Sequence, residues 1–189
     1  MTTVKPILIV GNAPCADTEK VRELMDQHEL VLRMNQFAEP ASPPKHITDR
    51  CDIWGVNNIH KYIRPTKPHL TWWTAYTATK GYEKRLRETI HHYDAVIPKE
   101  LLVSLFKLTG GRNPTTGFMM IHMALDLGYH PTVCGFDWFK SKQVHWWHMD
   151  EDEKGWHQRD VFNRWHNPVA EKRHLFKLAR EGSINLVKS

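Results

Sequence analysis

The sequence has few cysteines and no long hydrophobic segment. Its three cysteines, Cys15, Cys51 and Cys134, are an odd number without paired spacing, which argues against a disulfide-stabilised secreted domain and favours a reducing compartment. No apolar run approaches the roughly 20 residues of a membrane span, and residues 1–6 lack the apolar stretch of a signal peptide. We therefore expect a cytoplasmic protein without a transmembrane segment.

A dinucleotide-binding fingerprint is also missing. Gly11 follows an apolar run, but no glycine occupies the two later positions of the G-x-G-x-x-G pattern. This argues against a nicotinamide or flavin dinucleotide as cofactor, and no cofactor of another kind is indicated.

Tryptophan and histidine, by contrast, are abundant. The 189 residues include 8 Trp and 13 His, more than a core of this size requires. The length predicts one domain over residues 1–189, long enough to bury a core. A formal net charge of +5 permits anionic partners such as nucleotides, acidic glycans or nucleic acid without requiring them. Nothing in the sequence indicates the oligomeric state.

Apolar runs of strand length alternate with helical periodicity along the chain. Strands are predicted over residues 5–10, 30–34, 94–97 and 132–136, and helices over 18–27, 101–108, 115–127 and 168–180, with Asp17 as the N-cap of the first helix. Such alternation predicts an α/β fold: a Rossmann-like three-layer sandwich with a mostly parallel sheet and helices on both sides.

Two asparagines follow predicted strands. In open α/β sheets, ligands bind at the carboxyl ends of strands. Gly11 would let the backbone approach a phosphate to which Asn12 donates its amide, although an ordinary strand-to-helix turn explains the loop equally well. Asn35 follows Arg33 at the end of the second strand and would donate to a ribose or phosphate oxygen, unless it only begins a turn.

The segment Asn113-Pro114-Thr115-Thr116-Gly117 precedes the most strongly apolar helix. Proline fixes the entry, a threonine can cap, and free amides at a helix start attract anions. Capping does not explain Gly117, which costs about 1 kcal/mol against alanine inside a helix. Close approach of a ligand to Gly117 would account for it.

Two histidine clusters are candidates for chemistry. His166 lies just before a predicted helix, and Glu171 follows one turn later. A neutral imidazole at that place suits a general base. The second cluster is His145-Trp146-Trp147.

Four aromatic side chains are candidates for a surface that stacks on a ligand, called the acceptor surface below. Trp72, Trp73 and Tyr76 follow a basic stretch, and Trp146 is a further candidate. They either pack in the core or a lid, or stack on a sugar ring or nucleobase.

No metal site is expected. Residues 150–153 contain the Asp-x-Asp pattern of metal-dependent nucleotide-sugar transferases, but their polar surroundings favour a solvated acidic run. His145 and His148 lack a cysteine at a spacing that suits zinc.

Taken in order, these motifs resemble glycosyltransferase family 29, the sialyltransferases, over nearly the whole chain. Residues 9–12 through 31–35 resemble the family's large motif, and residues 46–50 its downstream end. Residues 113–117 through 134–136 resemble the small motif, with Cys134 in place of tyrosine before Gly135-Phe136. Residues 145–147 resemble the third motif, and His166 with Glu171 matches the very small motif.

The resemblance implies a variant GT-A-like fold and an inverting, metal-independent transfer from a CMP-sialic acid-like donor to an acceptor hydroxyl. His166 would be the general base and His145 would stabilise the leaving phosphate. Glu171 would orient His166 or anchor its loop, with Arg33 in support. The implied donor-binding residues are Gly11, Asn12, Asn35, Thr115, Thr116, Gly117 and Phe136.

The chain also departs from the family. We expect it to lack the disulfide that joins the large and small motifs in eukaryotic relatives, together with their membrane anchor and stem, which suggests a compact bacterial or viral enzyme acting in a bacterial cytoplasm or a virus-infected cell. Partners would be a nucleotide sugar and a glycan. Two alternatives remain open: transfer to a hydroxylated DNA base, and a non-catalytic module that binds nucleotide or nucleic acid.

Overall fold

The chain folds around one parallel β-sheet. The computed structural model describes residues 4–37, 45–57, 68–74, 90–138, 140–141 and 164–187. Within them the sheet has seven strands, and every neighbouring pair is parallel. The strands are β1 (Lys5–Val10), β2 (Val31–Met34), β3 (Ile53–Val56), β4 (Leu70–Trp73), β5 (Ala95–Val96), β6 (Tyr129–Cys134) and β7 (Asn185–Leu186).

Four α-helices flank this sheet in the described part of the chain: α1 (Glu19–Gln27), α2 (Lys99–Leu108), α3 (Thr116–Asp126) and α4 (Pro168–Arg180). Short 3-10 helices lie at Pro14–Ala16 and Ile90–His92. None of these helices is long and apolar enough to cross a bilayer.

Both faces of the sheet are covered, as the alternating side chains of β1 show. Ile7 and Ile9 pack in the larger core with α2, α3 and α4, whereas Leu8 and Val10 pack with α1 on the other face. Successive side chains of a strand point to opposite faces, so a strand between two helical layers is apolar throughout. The three-layer, parallel α/β architecture predicted from the sequence is therefore confirmed.

The strand order β5-β4-β3-β2-β1-β6-β7 has a reversal at its centre. Strands β2 to β5 extend the sheet on one side of β1, and the chain then returns to place β6 on the other side. A crevice forms at such a switch point, outside the carboxyl ends of the strands, where open α/β sheets bind ligands.

Three strands were not predicted from the sequence, and one cap was predicted wrongly. Strands β3 and β4 have four residues each and β7 has two, and length alone does not explain the omission, because β2 and β5 are equally short and were predicted. The N-cap of α1 is Thr18, whose hydroxyl accepts from the Val21 N–H. Asp17 instead accepts the backbone N–H groups of residues 45–47, a long-range contact that local sequence does not reveal.

Candidate functional site

Three asparagines line the carboxyl edge of the sheet. Asn12 follows β1, Asn35 follows β2, and Asn57 follows β3 directly. Parallel strands that pair side by side end at the same edge, so these residues form a row. The first two were predicted as site residues from the sequence. Asn57 was missed because its strand was not recognised.

The sequence suggested that the amide nitrogen of Asn12 binds a ligand, but within the described part of the chain the atom without a protein partner is its amide oxygen. Its Nδ2 donates to the carbonyls of Met34 at 3.0 Å and Gln36 at 3.2 Å, which ties the loop after β1 to the end of β2. The Asn12 Oδ1 is buried, and no donor in the described residues bonds to it. An oxygen accepts hydrogen bonds and repels a phosphate. Asn12 is therefore suited to a ligand N–H or hydroxyl, and the expectation that it donates to a phosphate is wrong.

Asn35 is held in a left-handed conformation with φ 48°, which asparagine tolerates better than most residues. Its Oδ1 accepts from the Asn57 N–H at 3.2 Å, and its Nδ2 donates to Thr116 Oγ1 at 3.2 Å. The indole of Trp54 donates to its backbone carbonyl at 2.9 Å. These bonds fix the asparagine row beneath the start of α3.

The start of α3 combines a capped turn with open N–H groups. The Thr115 hydroxyl accepts from Phe118 N–H at 3.2 Å, as expected for an N-cap. The preceding N–H groups of the helix, on Thr116 and Gly117, make no backbone hydrogen bond within the described residues. Helix starts attract anions through such groups, and this helix has 11 residues to align its peptide dipoles.

The reason for a glycine at position 117 differs from the one inferred from the sequence, as the neighbours of Gly117 show. A Cβ there would lie 2.4 Å from Cε1 of Phe136 and 3.3 Å from the Met34 sulfur. The ring of Phe136 stacks in turn on Trp138, with centroids 5.9 Å apart. Packing of Phe136 therefore explains the glycine, and close approach of a ligand is not needed to account for it.

Gly11 likewise makes room for protein. A Cβ on Gly11 would lie 2.2 Å from the carbonyl oxygen of Gly135, and the Gly11 N–H donates to the Cys134 carbonyl at 2.8 Å. The glycine thus lets the loops after β1 and β6 touch at the switch point.

His166 is anchored beside the start of α3. Its Nδ1 lies 2.7 Å from the carbonyl oxygen of Asn113, two residues before the cap Thr115. A carbonyl only accepts, so Nδ1 carries the proton and Nε2 is the basic atom of the neutral ring. Burial lowers the pKa of His166, and the bond to Asn113 opposes that shift. The imidazole is therefore neutral at pH 7.

Glu171 holds the same loop from α4. Its Oε1 accepts the Thr115 N–H at 2.8 Å, and its Oε2 accepts the Thr115 hydroxyl at 2.7 Å. Burial raises the pKa of Glu171 to about 7, against the effect of both Thr115 bonds. Of the two roles expected for this carboxylate, these bonds fit loop anchoring. The His–x4–Glu spacing lets α4 hold the loop before α3 at two points.

Removal of Glu171 should destabilise the fold. Glu171→Ala leaves two partly buried Thr115 donors without an acceptor and should lower the free energy of unfolding by about 1–3 kcal/mol, measured by urea denaturation. Because the folded state holds the Glu171 proton more tightly than the unfolded state, its contribution to stability decreases as pH rises from about 4.5 to about 7.

Glu171→Gln, which has no proton to release, should abolish this part of the pH dependence. The control is Glu181→Ala, whose ion pair with Lys177 is long, at 3.8 Å, and exposed, so stability should change by less than about 0.5 kcal/mol. Equal stabilities of Glu171→Ala and Glu181→Ala would contradict the anchoring role.

Arg33 lies buried on the α1 side of the sheet. Its Nη1 donates to the Thr48 carbonyl at 3.2 Å, and the guanidinium lies 4.6 Å from the ring centroid of Phe37. Burial lowers the pKa of Arg33 to about 10, so the side chain is cationic at neutral pH. None of the Arg33 hydrogen bonds within the described residues reaches the asparagine row, which leaves Arg33 a supporting role at most.

The predicted acceptor tryptophans are core residues. Trp72 and Trp73 are only 2% and 3% exposed, so of the two alternatives left open for them, packing in the core is confirmed and stacking on an acceptor is excluded. The indole of Trp73 supports the site from below by donating to the Asn57 carbonyl at 3.3 Å. Tyr76, His145, Trp146 and the acidic run 150–153 lie outside the described residues.

An exposed aromatic residue that sequence reasoning missed is Trp165, next to His166. It is 58% exposed, and its carbonyl accepts the Asn113 N–H at 3.1 Å. Its apolar surface therefore lies at the same loop as the candidate base. Its position beside His166 was the one feature of the sequence that could have indicated Trp165 as a site residue.

Comparison with solved structures identifies the fold. The chain is similar to two crystal structures of a mammalian sialyltransferase, at 14% sequence identity, with 99% of this chain and 70% of the other covered and TM-scores of 0.67 and 0.63. The second of these holds Gal-beta-1-3GalNAc-ortho-nitrophenol. No protein-family model matches the sequence, and no curated protein matches it. The similarity at this identity shows a shared fold.

Proposed function

We propose that the protein is a glycosyltransferase that moves a sugar from a nucleotide donor of the CMP-sialic acid type to an acceptor hydroxyl, with inversion and without a metal ion. The observation that carries this proposal is the placement of His166, whose Nδ1 is fixed to Asn113 at the start of α3. A base and an anion-binding helix start thereby share one loop. The sialyltransferase-like fold supports the choice of reaction.

The chemistry follows from these positions. The Nε2 of His166 removes the proton of the acceptor hydroxyl, whose oxygen forms a bond to the anomeric carbon of the donor sugar. The bond between that carbon and the phosphate oxygen breaks, and its electron pair leaves with the nucleoside monophosphate. The N–H groups of Thr116 and Gly117 stabilise the developing phosphate charge. His145 is proposed to assist there.

Nucleotide recognition is assigned to the edge of β1. The buried Asn12 Oδ1 accepts from a ribose hydroxyl or a base N–H, and Asn35 positions Thr116 through its amide. Thr115 contributes indirectly, because Phe118 and Glu171 already engage its side chain. Phe136 closes the pocket against Gly117. Trp165 offers the exposed apolar surface for the acceptor.

A donor panel tests the proposal directly. CMP- and UDP-sugars should be compared by thermal shift, and a CMP-sugar at 100 times its Kd should add about 2.7 kcal/mol of stability. The donor that binds is then incubated with Gal-beta-1-3GalNAc-ortho-nitrophenol and, separately, with hydroxylated DNA. Transfer should persist in EDTA, since the proposal needs no metal.

Each contrary outcome has a distinct meaning. Stabilisation by UDP-sugars alone would contradict the CMP assignment. Binding without transfer or hydrolysis of any donor would support a nucleotide-binding module instead of an enzyme. Transfer to the DNA alone would move the acceptor class to nucleic acid, and loss of transfer in EDTA would contradict metal independence.

A further inference from the structure

Several buried polar atoms along the carboxyl edge of the sheet have no partner. They are Asn12 Oδ1, Asn57 Oδ1 and Thr74 Oγ1, and no hydrogen-bonding group of the described residues satisfies them. Leaving a buried polar atom without a hydrogen bond costs about 1–3 kcal/mol each, so unsatisfied buried groups are rare in folded proteins. Three such atoms lie along the edge of the sheet at which a ligand is expected, and this grouping needs an explanation.

Asn57 and Thr74 lie side by side at the end of this row. Strands β3 and β4 pair in parallel with Val56 opposite Trp73, and the Thr74 N–H donates to the Val56 carbonyl at 2.9 Å. Asn57 and Thr74 are thus the next residues on two neighbouring strands. Thr74 is 0% exposed, so bulk water does not satisfy its hydroxyl in this structure, and a ligand reaches it only when the groups that cover it move aside.

The chemistry of the two groups selects the kind of ligand. The Asn57 Nδ2 points to Thr116 Oγ1 at 3.4 Å, which leaves the carbonyl oxygen as the atom to be satisfied. An amide oxygen only accepts, whereas a threonine hydroxyl accepts and donates. A phosphate or carboxylate cannot donate to this pair. The hydroxyls of a sugar ring can.

We propose that Asn57 and Thr74 form a sugar-binding subsite that hydrogen-bonds ring hydroxyls, separate from the phosphate position at the start of α3. This inference rests on the proposed function, because it assigns one part of the same crevice to a sugar. The ring belongs either to the donor or to the acceptor. Both present the same hydroxyl chemistry, and the experiment distinguishes them.

Thr74→Val is the most informative substitution. Valine has nearly the same shape and removes only the hydroxyl that lacks a partner, so the ligand-free protein should be at least as stable as the wild type in thermal unfolding. Affinity for CMP should be unchanged. Affinity for the sugar-bearing ligand should fall roughly threefold to tenfold, the value of one hydrogen bond.

Isothermal titration with CMP, CMP-sialic acid and Gal-beta-1-3GalNAc-ortho-nitrophenol makes these comparisons, with Thr71→Val as control. Thr71 is buried in the same strand, nearer its amino end. Asn57→Ala provides a second variant and should weaken the same ligand as Thr74→Val. If only the affinity for CMP-sialic acid falls, the ring belongs to the donor. If only the affinity for Gal-beta-1-3GalNAc-ortho-nitrophenol falls, it belongs to the acceptor.

The proposed subsite is refuted if Thr74→Val binds all three ligands like the wild type. It is also refuted if this variant is clearly less stable than the wild type without ligand, because the Thr74 hydroxyl would then have a structural partner. Either result leaves nucleotide binding by the wild type intact. Failure of the wild type to bind any nucleotide would instead refute the proposed function, and this inference with it.

Discussion

His166→Asn should lower the rate of sugar transfer by about 10²–10⁴-fold, the usual contribution of a general base, while leaving nucleotide affinity nearly unchanged. The asparagine amide can overlay the Nδ1 position and still donate to the Asn113 carbonyl, which His166 contacts at 2.7 Å. The substitution therefore keeps the loop in place and removes only Nε2. Single-turnover transfer and titration with CMP measure the two effects separately.

Two comparisons distinguish loss of the base from loss of structure. His166→Ala removes both ring nitrogens and should reduce transfer as strongly, with an additional loss of thermal stability. His69→Ala, an exposed histidine next to the amino end of β4, should retain full activity. If His166→Asn transfers sugar at the wild-type rate, another group removes the proton.

The pH dependence of the wild type provides an independent check. Burial lowers the pKa of His166 from the usual 6.5, and only the neutral ring can accept a proton. The value of kcat/KM should therefore be constant near pH 7 and decline only when pH falls below 6.5. If kcat/KM instead declines with a midpoint above pH 6.5, the assignment of His166 as the general base is contradicted.

The general architecture could be predicted from the sequence because it depends on the patterning of apolar residues. Strand β1 is a continuous apolar run, helices α3 and α4 are long segments with a capping residue at their start, and the bounds of all three agree closely with the prediction. Strands β3 and β4 were missed, although β2 has the same length of four residues and was predicted. As a consequence the choice between the core and an acceptor surface stayed open for Trp72 and Trp73, which fill the core.

The sequence predicted which residues of the candidate site lie together, but the contacts of several of them were misinterpreted. The motifs at Asn12, Asn35, Thr115 and His166 do meet at one edge of the sheet. What sequence cannot show is which end of an amide faces the ligand, because that depends on partners far along the chain. The Asn12 amide hydrogens are used on Met34 and Gln36, over 22 and 24 residues of sequence separation.

The two glycines of the predicted site illustrate the same limit. A glycine in a loop or first turn indicates that something approaches the backbone closely, but not whether that is a ligand or another part of the protein. Gly117 accommodates the ring of Phe136, and Gly11 accommodates the backbone of Gly135. The two explanations predict different results for the ligand-free protein.

Gly11→Ala should therefore destabilise the protein even without a ligand, by about 3 kcal/mol or more. The added methyl carbon would lie 2.2 Å from the Gly135 carbonyl oxygen and 2.8 Å from its carbon. Backbone atoms cannot rotate away as a side chain can, so the loops after β1 and β6 must separate at the switch point. Overpacking of this kind costs about 1–3 kcal/mol where side chains can adjust, and more where they cannot.

Gly128→Ala is the matched comparison, because a Cβ there has no atom within 4 Å and only the φ of +80° is unfavourable for alanine. That strain should cost about 1–2 kcal/mol. Urea denaturation of both variants without ligand gives the difference that steric overlap adds. If Gly11→Ala were as stable as the wild type yet failed to bind nucleotide, the glycine would serve the ligand after all. A large loss in the free protein instead places its role in the fold that holds the asparagine row together.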